Sequence, residues 1–402
     1  MLTSLAFIFL MGLGMASLIK ALKLPRIIGM LLTGILLGPH VLNLLDPSIL
    51  SISAELRQMA LIIILLKAGL SLDLSDLKKV GRPAILMSCL PALFEILAFV
   101  LLAPMILKIS RVEAAVMGAV LAAVSPAVVI PRMVQLMDTG YGTQKSIPQL
   151  IMAGASCDDI FVIVLFSTFT GMAQGESAHL MDFVNIPLSI ILGIGLGAVV
   201  GCCVSLFFET AFARERTVRN SAKVVIVLGM SFLLVAAEDW LEGIIPVSGL
   251  LAVVSMACVI KMKSVPFVSK RLSEKFGKLW IAAEVILFVL VGAAVDIRYT
   301  LDAGLPAVVM ILVALLFRAV GVTVCLLGTS MTRGERLFCI IAYIPKATVQ
   351  AAIGSVPLAM GLPCGQIVLT VAVLAILITA PMGAIGMDLT YKKLLPKDPR
   401  YD

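Results

Sequence analysis

Residues 122–131 read AAVSPAVVIP and residues 343–350 read YIPKATVQ, and in both stretches a proline interrupts an apolar run. Proline lacks a backbone donor and breaks the hydrogen-bond ladder of a helix. Lipid cannot satisfy the carbonyl and amide groups that such a break releases, so they must line a hydrated cavity or meet polar partners. We therefore predict two discontinuous membrane helices, with the breaks marked by Pro126, Pro131, Pro345 and Thr348.

The rest of the chain has the composition of a membrane protein. Of its 402 residues 61% are hydrophobic and 14% are charged, whereas about 25% are charged in ordinary soluble domains. Thirteen spans of about 20 residues would use about 260 positions, so we expect no soluble regulatory domain. The predicted fold is an all-α polytopic membrane protein with spans at 2–19, 25–38, 56–72, 83–104, 112–131, 147–172, 183–207, 222–240, 245–260, 279–295, 305–327, 335–357 and 365–387.

The basic residues predict the orientation of these spans. Of the 31 lysines and arginines, four lie on one side of the membrane and three lie deep within spans (Lys67, Arg318 and Lys346). The other 24 lie in or beside the loops of the opposite side and in the C-terminal tail. Basic loops mark the cytoplasmic side, so we expect the N-terminus outside and the C-terminus in the cytoplasm. The basic residues form no patch with aromatics, so we expect no nucleic acid partner. The absence of organelle signals and of long loops favours a bacterial inner membrane.

Several local patterns recur seven spans later, which indicates an internal repeat over about 25–207 and 245–387. The matched positions are 215 to 223 residues apart and keep their order: Leu24-Pro25 to Leu36 with Ile245-Pro246 to Leu251, Gly69 to Asp73 with Gly292 to Asp296, Pro126 with Pro345, and Glu95 with Arg318. Seven is odd, so the two copies must have opposite orientations in the membrane. Inverted repeats of this kind build many secondary transporters, whose substrate sites lie at discontinuous helices near the midplane.

Two adjacent carboxylates, Asp158 and Asp159, lie near the middle of the sixth span. Each costs about 2.5 to 3.5 kcal/mol to insert as a charged group. Burial and mutual repulsion both oppose ionisation of the pair, which can therefore retain a proton near neutral pH. The same oxygens can bind a small monovalent cation, with Ser125 completing its shell. Competition between proton and cation for one site is sufficient for antiport.

Three further charges lie within apolar runs: Glu95 in the fourth span, Arg318 in the eleventh and Lys346 after the second proline break. An unpaired charge at this depth is severely unfavourable. We predict that Glu95 pairs with Arg318, and the alternative is that Arg318 contacts Asp158 or Asp159. Lys346 is expected to offset the partial negative charge at the C-terminal end of a half-helix.

These motifs resemble those of the cation:proton antiporter superfamily, in particular the sodium/proton antiporters of the NHA branch and NapA-type bacterial antiporters. The resemblance covers nearly the whole chain, and Asp158-Asp159 and the run from Pro345 to Ala352 are its most specific parts. It implies a homodimer with fixed dimerisation helices and a moving core, the latter including 56–72, 83–104, 112–172 and 279–357. It also implies that Asp159 carries the ion or proton and that Asp158 supports it.

The resemblance leaves the stoichiometry open, because the Asp pair is typical of electrogenic relatives whereas a Glu95–Arg318 pair is typical of one-for-one exchangers. Many relatives have an acidic residue where this chain has Ser125. The predicted function is exchange of Na⁺ or Li⁺ for H⁺ in a lipid membrane without a cofactor. A K⁺/H⁺ antiporter and a sodium-coupled symporter of a small organic solute are the alternatives. An intramembrane aspartyl enzyme is disfavoured, because adjacent residues on one helix point about 100° apart.

Overall fold

The computed structural model describes residues 1–22, 24–71, 81–174, 180–213, 219–241, 245 and 247–398; Asp73 and Pro246, which the sequence comparison uses, lie outside them. Helices dominate this part of the chain, and one isolated bridge joins Tyr141 to Lys397. In chain order the α-helices are α1 Leu2–Ala21, α2 Arg26–Leu37, α3 Pro47–Ser51, α4 Ser53–Ser71, α5 Arg82–Met87, α6 Leu90–Ile106, α7 Arg111–Ala122, α8 Pro126–Asp138, α9 Ile147–Ala173, α10 Leu180–Ala213, α11 Asn220–Leu241, α12 Gly249–Lys263, α13 Pro266–Ala293, α14 Ile297–Cys325, α15 Arg333–Ala342, α16 Thr348–Ile353, α17 Val356–Ala359 and α18 Gly365–Leu394.

Each predicted span falls on one, two or three of these helices. Within the described ranges, nine helical segments are long and apolar enough to cross a membrane. The second span falls on the shorter apolar helix α2, and the twelfth is divided among α15, α16 and the start of α17. The all-helical membrane fold is therefore confirmed, whereas the number of thirteen spans stays a prediction.

The chain divides into two compact units. The first comprises Met1–Glu55, Asp73–Gln174 and Val285–Asp402, and the second comprises Leu56–Leu72 and Gly175–Glu284. The first unit contains both discontinuous helices and all the charges singled out above. The expected division into a moving core and fixed dimerisation helices stays a prediction.

Both broken spans begin with the same capping arrangement. At the start of α7, the Ser110 hydroxyl accepts from the amide of Glu113 (3.2 Å), whose carboxylate accepts from the amide of Ser110 (2.8 Å). At the start of α15, Thr332 and Glu335 make the same two bonds at 3.2 and 2.6 Å. These reciprocal bonds satisfy two amides that a helix leaves free at its N-terminus. Positions 110 and 332 are 222 apart, an offset within the range of the predicted repeat.

The breaks lie at residues 123–125 and 343–347, between α7 and α8 and between α15 and α16. Pro126 is the first residue of α8, a position at which a missing donor costs nothing. The prediction that Pro131 also marks a break is wrong, because α8 continues through it to Asp138. A proline removes one hydrogen bond, and a membrane helix can continue past it when its neighbours satisfy the freed group.

Two helix crossings depend on glycine. A Cβ at Gly34 of α2 would overlap the backbone carbonyl of Val289 in α13, and a Cβ at Gly292 would overlap that of Leu31. In the second unit, Gly69 of α4 also packs closely against α12, where a Cβ would lie 2.7 Å from Cβ of Ala257 and 2.9 Å from the carbonyl oxygen of Val254. The repeat predicts that the crossing of α2 with α13 corresponds to the crossing of α12 with α4. It equates α2 with α12, and it equates Gly69 of α4 with Gly292 of α13. The opposite orientation of the two copies stays a prediction.

We expect Gly34→Val to destabilise the protein by about 1 to 3 kcal/mol, the usual cost of an overpacked core. The added side chain would have to displace the backbone of α13 rather than a flexible side chain. The melting temperature in detergent measures the effect. The matched control is Gly14→Val on α1, where a Cβ meets nothing within 4 Å. Equal melting temperatures for the two variants would contradict the prediction.

Candidate ion-binding site

The two broken helices meet at their breaks. The backbone amide of Ser125 donates a hydrogen bond to the carbonyl of Pro345 (2.8 Å). Each break thus supplies a partner for a backbone group that the other break releases, as the absence of water from a bilayer core requires.

Three consecutive carbonyls at the C-terminal end of α7 accept hydrogen bonds from buried side chains of the second half of the chain. Lys346 donates to Leu121, Arg318 to Ala122, and the Gln350 amide to Ala123 at 2.9 Å. These carbonyls form the negative end of the helix dipole, which the two cations offset. Lys346 was predicted to act at the end of a half-helix, and the half-helix that it contacts is α7.

Glu95 of α6 lies between the two cations. One carboxylate oxygen is 2.8 Å from Nη1 of Arg318 and the other is 2.7 Å from Nζ of Lys346. All three side chains are at most 2% exposed. The structure therefore contains the ion pair predicted between Glu95 and Arg318, and it adds Lys346 as a second partner.

Arg318 also contacts the Asp helix α9. Its Nη2 lies 3.1 Å from Oδ2 of Asp158, and its Nε donates to the carbonyl of Tyr343 (2.7 Å). The sequence analysis treated contacts of Arg318 with Glu95 and with Asp158 as alternatives, but both are present. A guanidinium group carries five N–H donors in a planar fork, so one side chain can bind both carboxylates and two carbonyls.

The two adjacent aspartates have different surroundings. Oδ2 of Asp158 accepts from Arg318 and from the backbone amide of Val124 (2.8 Å), which belongs to the first break. Asp159 forms no ion pair with any residue that the structure describes, and its Oδ1 is buried without a hydrogen-bond partner there. Asp158 is therefore held by fixed donors, whereas Asp159 keeps its binding capacity.

Other oxygens near the breaks are also buried without a partner among the described residues. They belong to Asp158 (Oδ1), Ser125 (Oγ), Thr348 (Oγ1), Gln350 (Oε1) and Tyr343 (OH). Carboxylate, hydroxyl and amide oxygens are the ligand types that hard cations prefer. The breaks and α9 thus supply residues of the kind that could hold a monovalent cation.

Three participants were not singled out as site residues from the sequence: Gln350, Tyr343 and Thr379. The hydroxyl of Thr379, on α18, accepts from the backbone amide of Lys346 (3.0 Å). Gln350 lies in the run that carries the family resemblance, and a polar residue one turn after the break was a signal that could have been used. Tyr343 contacts Arg318 through its carbonyl and its ring, and Thr379 lies in an apolar helix far along the chain. Nothing in the sequence pattern indicated that either residue would lie at the breaks.

The chain matches the family described as "Sodium/hydrogen exchanger, transmembrane" over residues 5–389. It is 35% identical to human sodium/hydrogen exchanger 9B2 over 404 aligned residues, which cover 96% of this chain and 72% of the human protein. It is 31% identical to human sodium/hydrogen exchanger 9B1, covering 93% of this chain and 73% of that one.

A solved structure has the same fold. The sodium proton antiporter MjNhaP1 from Methanocaldococcus jannaschii at pH 8 superposes with a TM-score of 0.85 at 22% identity, covering 98% of both chains. The expectation of an antiporter fold is confirmed by this match. By its family match, its relatives and its helical architecture, the chain is an integral membrane protein of the cation:proton antiporter type and belongs to the transmembrane sodium/hydrogen exchanger family.

Proposed function

We propose that this protein exchanges Na⁺ or Li⁺ for H⁺ across the membrane, one for one, with Asp159 as the group that carries either ion. Alternating access would expose the same carboxylate first to one side and then to the other. The observation that carries the proposal is the asymmetry of the aspartate pair: Oδ2 of Asp158 accepts from Arg318 and from Val124, whereas the buried Asp159 forms no ion pair with the described residues.

Competition at Asp159 follows from its position next to a fixed negative charge. A carboxylate buried without a counterion is strongly unfavourable, so Asp159 must bind either a proton or a metal cation. Ser125 and Thr348 supply buried hydroxyl oxygens from the two breaks that could complete a cation's coordination shell. Neither hydroxyl could replace the carboxylate, because neither carries charge.

The charge count of the site supports exchange of one proton for one cation. Glu95, Asp158 and Asp159 carry three negative charges when ionised, and Arg318 and Lys346 carry two positive ones. The net charge of minus one is neutralised by one H⁺ or by one Na⁺. A second bound proton would leave an uncompensated positive charge in a buried cluster, which low-dielectric surroundings oppose.

We expect proteoliposomes containing the purified protein to dissipate a pH gradient when NaCl or LiCl is added, and not when choline chloride is added. One-for-one exchange moves no net charge, so a potassium clamp with valinomycin should leave the rate unchanged. Acceleration under the clamp would show electrogenic exchange and overturn the stoichiometry.

The same experiment addresses the alternative substrates. KCl as the best driving salt would indicate a K⁺/H⁺ antiporter. If no salt moved protons, sodium uptake that depends on an added organic solute would indicate a symporter. The names of the relatives, sodium/hydrogen exchangers 9B2 and 9B1, favour sodium.

The remaining expectations from the sequence are retained as proposals. They are a homodimer, a bacterial inner membrane location with the N-terminus outside, and movement of a core that carries α7, α8, α15 and α16 against fixed dimerisation helices. Placement of both breaks and the whole charge cluster in one compact unit is compatible with their movement as one body.

A further inference from the structure

Tyr343, the residue that follows α15, contacts Arg318 in two ways. Its carbonyl accepts from Nε of Arg318 (2.7 Å), and its ring centroid lies 5.4 Å from the guanidinium carbon. Stacking on an aromatic ring and a hydrogen bond in the guanidinium plane together restrict the direction in which Arg318 points. Arg318 contacts Asp158 through Nη2, and Glu95 and the carbonyl of Ala122 through Nη1.

The far end of Tyr343 lies against the Asp helix. A Cβ added at Gly154 would overlap the Tyr343 hydroxyl, and it would lie 3.0 Å from Cβ of Met87 and 3.3 Å from Cζ of Tyr343. Gly154 precedes Asp158 by four residues on α9, so the two positions lie on the same face of that helix. Tyr343 is completely buried, and its hydroxyl has no hydrogen-bond partner in the part of the chain that the structure describes.

The tyrosine therefore spans the distance between Arg318 and the helix that carries the aspartates. A buried donor without a partner is costly, and phenylalanine would avoid that cost. The hydroxyl oxygen lengthens the side chain by one atom, and this atom is the one that reaches the backbone of α9 at Gly154.

We propose that Tyr343 is a positioning residue of the exchange site, which directs Arg318 onto Asp158, and that Gly154 sets the distance between this assembly and the Asp helix. The proposal rests on the proposed function at Asp158 and Asp159. Whether Asp158 is ionised depends on how closely the Arg318 guanidinium approaches it. Any negative charge on Asp158 that Arg318 does not neutralise repels a negative charge on the adjacent Asp159.

The test uses Gly154→Ala, Tyr343→Phe and the double variant in proteoliposomes, below the lowest melting temperature of the set. In Gly154→Ala the methyl group should displace the tyrosine, raise the apparent KM for Na⁺ and shift the pH profile of exchange. A displacement on the order of 1 Å can cost about 100-fold in a positioned reaction. Tyr343→Phe should retain exchange with a small loss, because the ring and the carbonyl that hold Arg318 remain.

The decisive result is the double variant. Removing the hydroxyl relieves the overlap and leaves the methyl group 3.0 Å from Cβ of Met87 and 3.3 Å from Cζ of residue 343, contacts that a shift of a few tenths of an ångström relieves. Gly154→Ala with Tyr343→Phe should therefore recover much of the KM and of the pH profile. If Gly154→Ala alone fails to fold and the double variant folds, the recovery itself supports the contact. Losses that multiply in the double variant would overturn the proposal.

Two glycine variants separate positioning from packing. Gly12→Ala brings a Cβ to 2.9 Å from a Val285 methyl group, away from the site, and should lower stability without moving the KM or the pH profile. Gly195→Ala meets nothing within 4 Å and should change neither. A Gly154→Ala variant that behaved like Gly12→Ala would show a purely structural role.

Asp159→Asn, measured in parallel, separates this proposal from the proposed function. Normal exchange by Asp159→Asn would remove the proposed site, whatever the variants at 154 and 343 do. An inactive Asp159→Asn together with an unrescued Gly154→Ala would remove only the positioning role.

Discussion

Asp159→Asn is expected to abolish cation-driven proton movement, to the level of liposomes without protein, while the protein stays folded. Asparagine keeps the shape of the side chain but can neither bind the exchanged proton nor supply a negative charge. The fold should tolerate the change, because Asp159 forms no ion pair with the described residues and its ionised form is the unfavourable one. Fluorescence of a pH-sensitive dye in proteoliposomes and the melting temperature in detergent measure the two properties.

Two variants control this experiment. Asp158→Asn weakens the contacts with Arg318 and Val124, so it should lower the melting temperature more than Asp159→Asn does. Asp388→Asn removes a carboxylate that is 53% exposed and bound to Arg132, and it should leave exchange intact. Robust transport by Asp159→Asn would falsify the assignment of this residue as the carrier.

Glu95→Gln is expected to destabilise the protein by about 3 to 5 kcal/mol, the usual result of removing one partner from a buried charge cluster. The change removes the only carboxylate that contacts Lys346 in the described structure, and it removes one of the two that contact Arg318. Chemical or thermal unfolding in detergent measures the loss. Exchange should also fall, because the site is then neutral without a bound ion.

A second substitution should recover part of this loss, and the structure indicates where. The sequence analysis paired Glu95 with Arg318, so from the sequence alone the compensating change would be Arg318→Gln. Arg318 also serves Asp158 and the carbonyls of Ala122 and Tyr343, so its removal would take a donor from three further groups and leave Asp158 with the Val124 amide but no cation. Lys346→Gln removes the cation that Glu95→Gln leaves without a carboxylate, and it restores the net charge of minus one.

We therefore expect Glu95→Gln with Lys346→Gln to be more stable than Glu95→Gln alone, and Glu95→Gln with Arg318→Gln to be less stable. The control Glu113→Gln changes a carboxylate whose recorded contact is an exposed capping bond, and it should cost no more than about 2 kcal/mol. Additive losses in both double variants would show that the three charges do not act as a cluster.

The sequence was sufficient for the class of fold and for most of the charged and proline residues that the structure brings together at the candidate site. Hydropathy locates the helices because a spanning segment must be apolar over about 20 residues. Pro126, Pro345, Lys346 and the aspartate pair were recognisable because prolines and charges are expensive in a bilayer core.

Contacts made through the backbone could not be predicted in the same way. No residue type indicates that the carbonyls of Leu121, Ala122 and Ala123 accept hydrogen bonds from side chains more than 190 positions away in the sequence. Whether the Arg318 guanidinium contacts Glu95, Asp158 or both likewise depends on the angles at which α6, α9 and α14 cross. Pro131 shows that a proline can also predict a break that is absent. A proline interrupts a helix only where neighbouring groups do not satisfy the backbone carbonyl that it frees.

The bonds between Arg318 and the end of α7 also have a consequence for the order of assembly during synthesis. Arg318 follows Ala122 by 196 residues, which a ribosome needs on the order of 10 to 40 s to add at about 5 to 20 residues per second. Glu95 and the carbonyls at the end of α7 exist throughout that interval and Asp158 is added early in it, but their cationic partners are not yet made. We therefore expect a fragment that ends before Arg318 to be less stable than the complete chain and to accumulate to a lower level in the membrane.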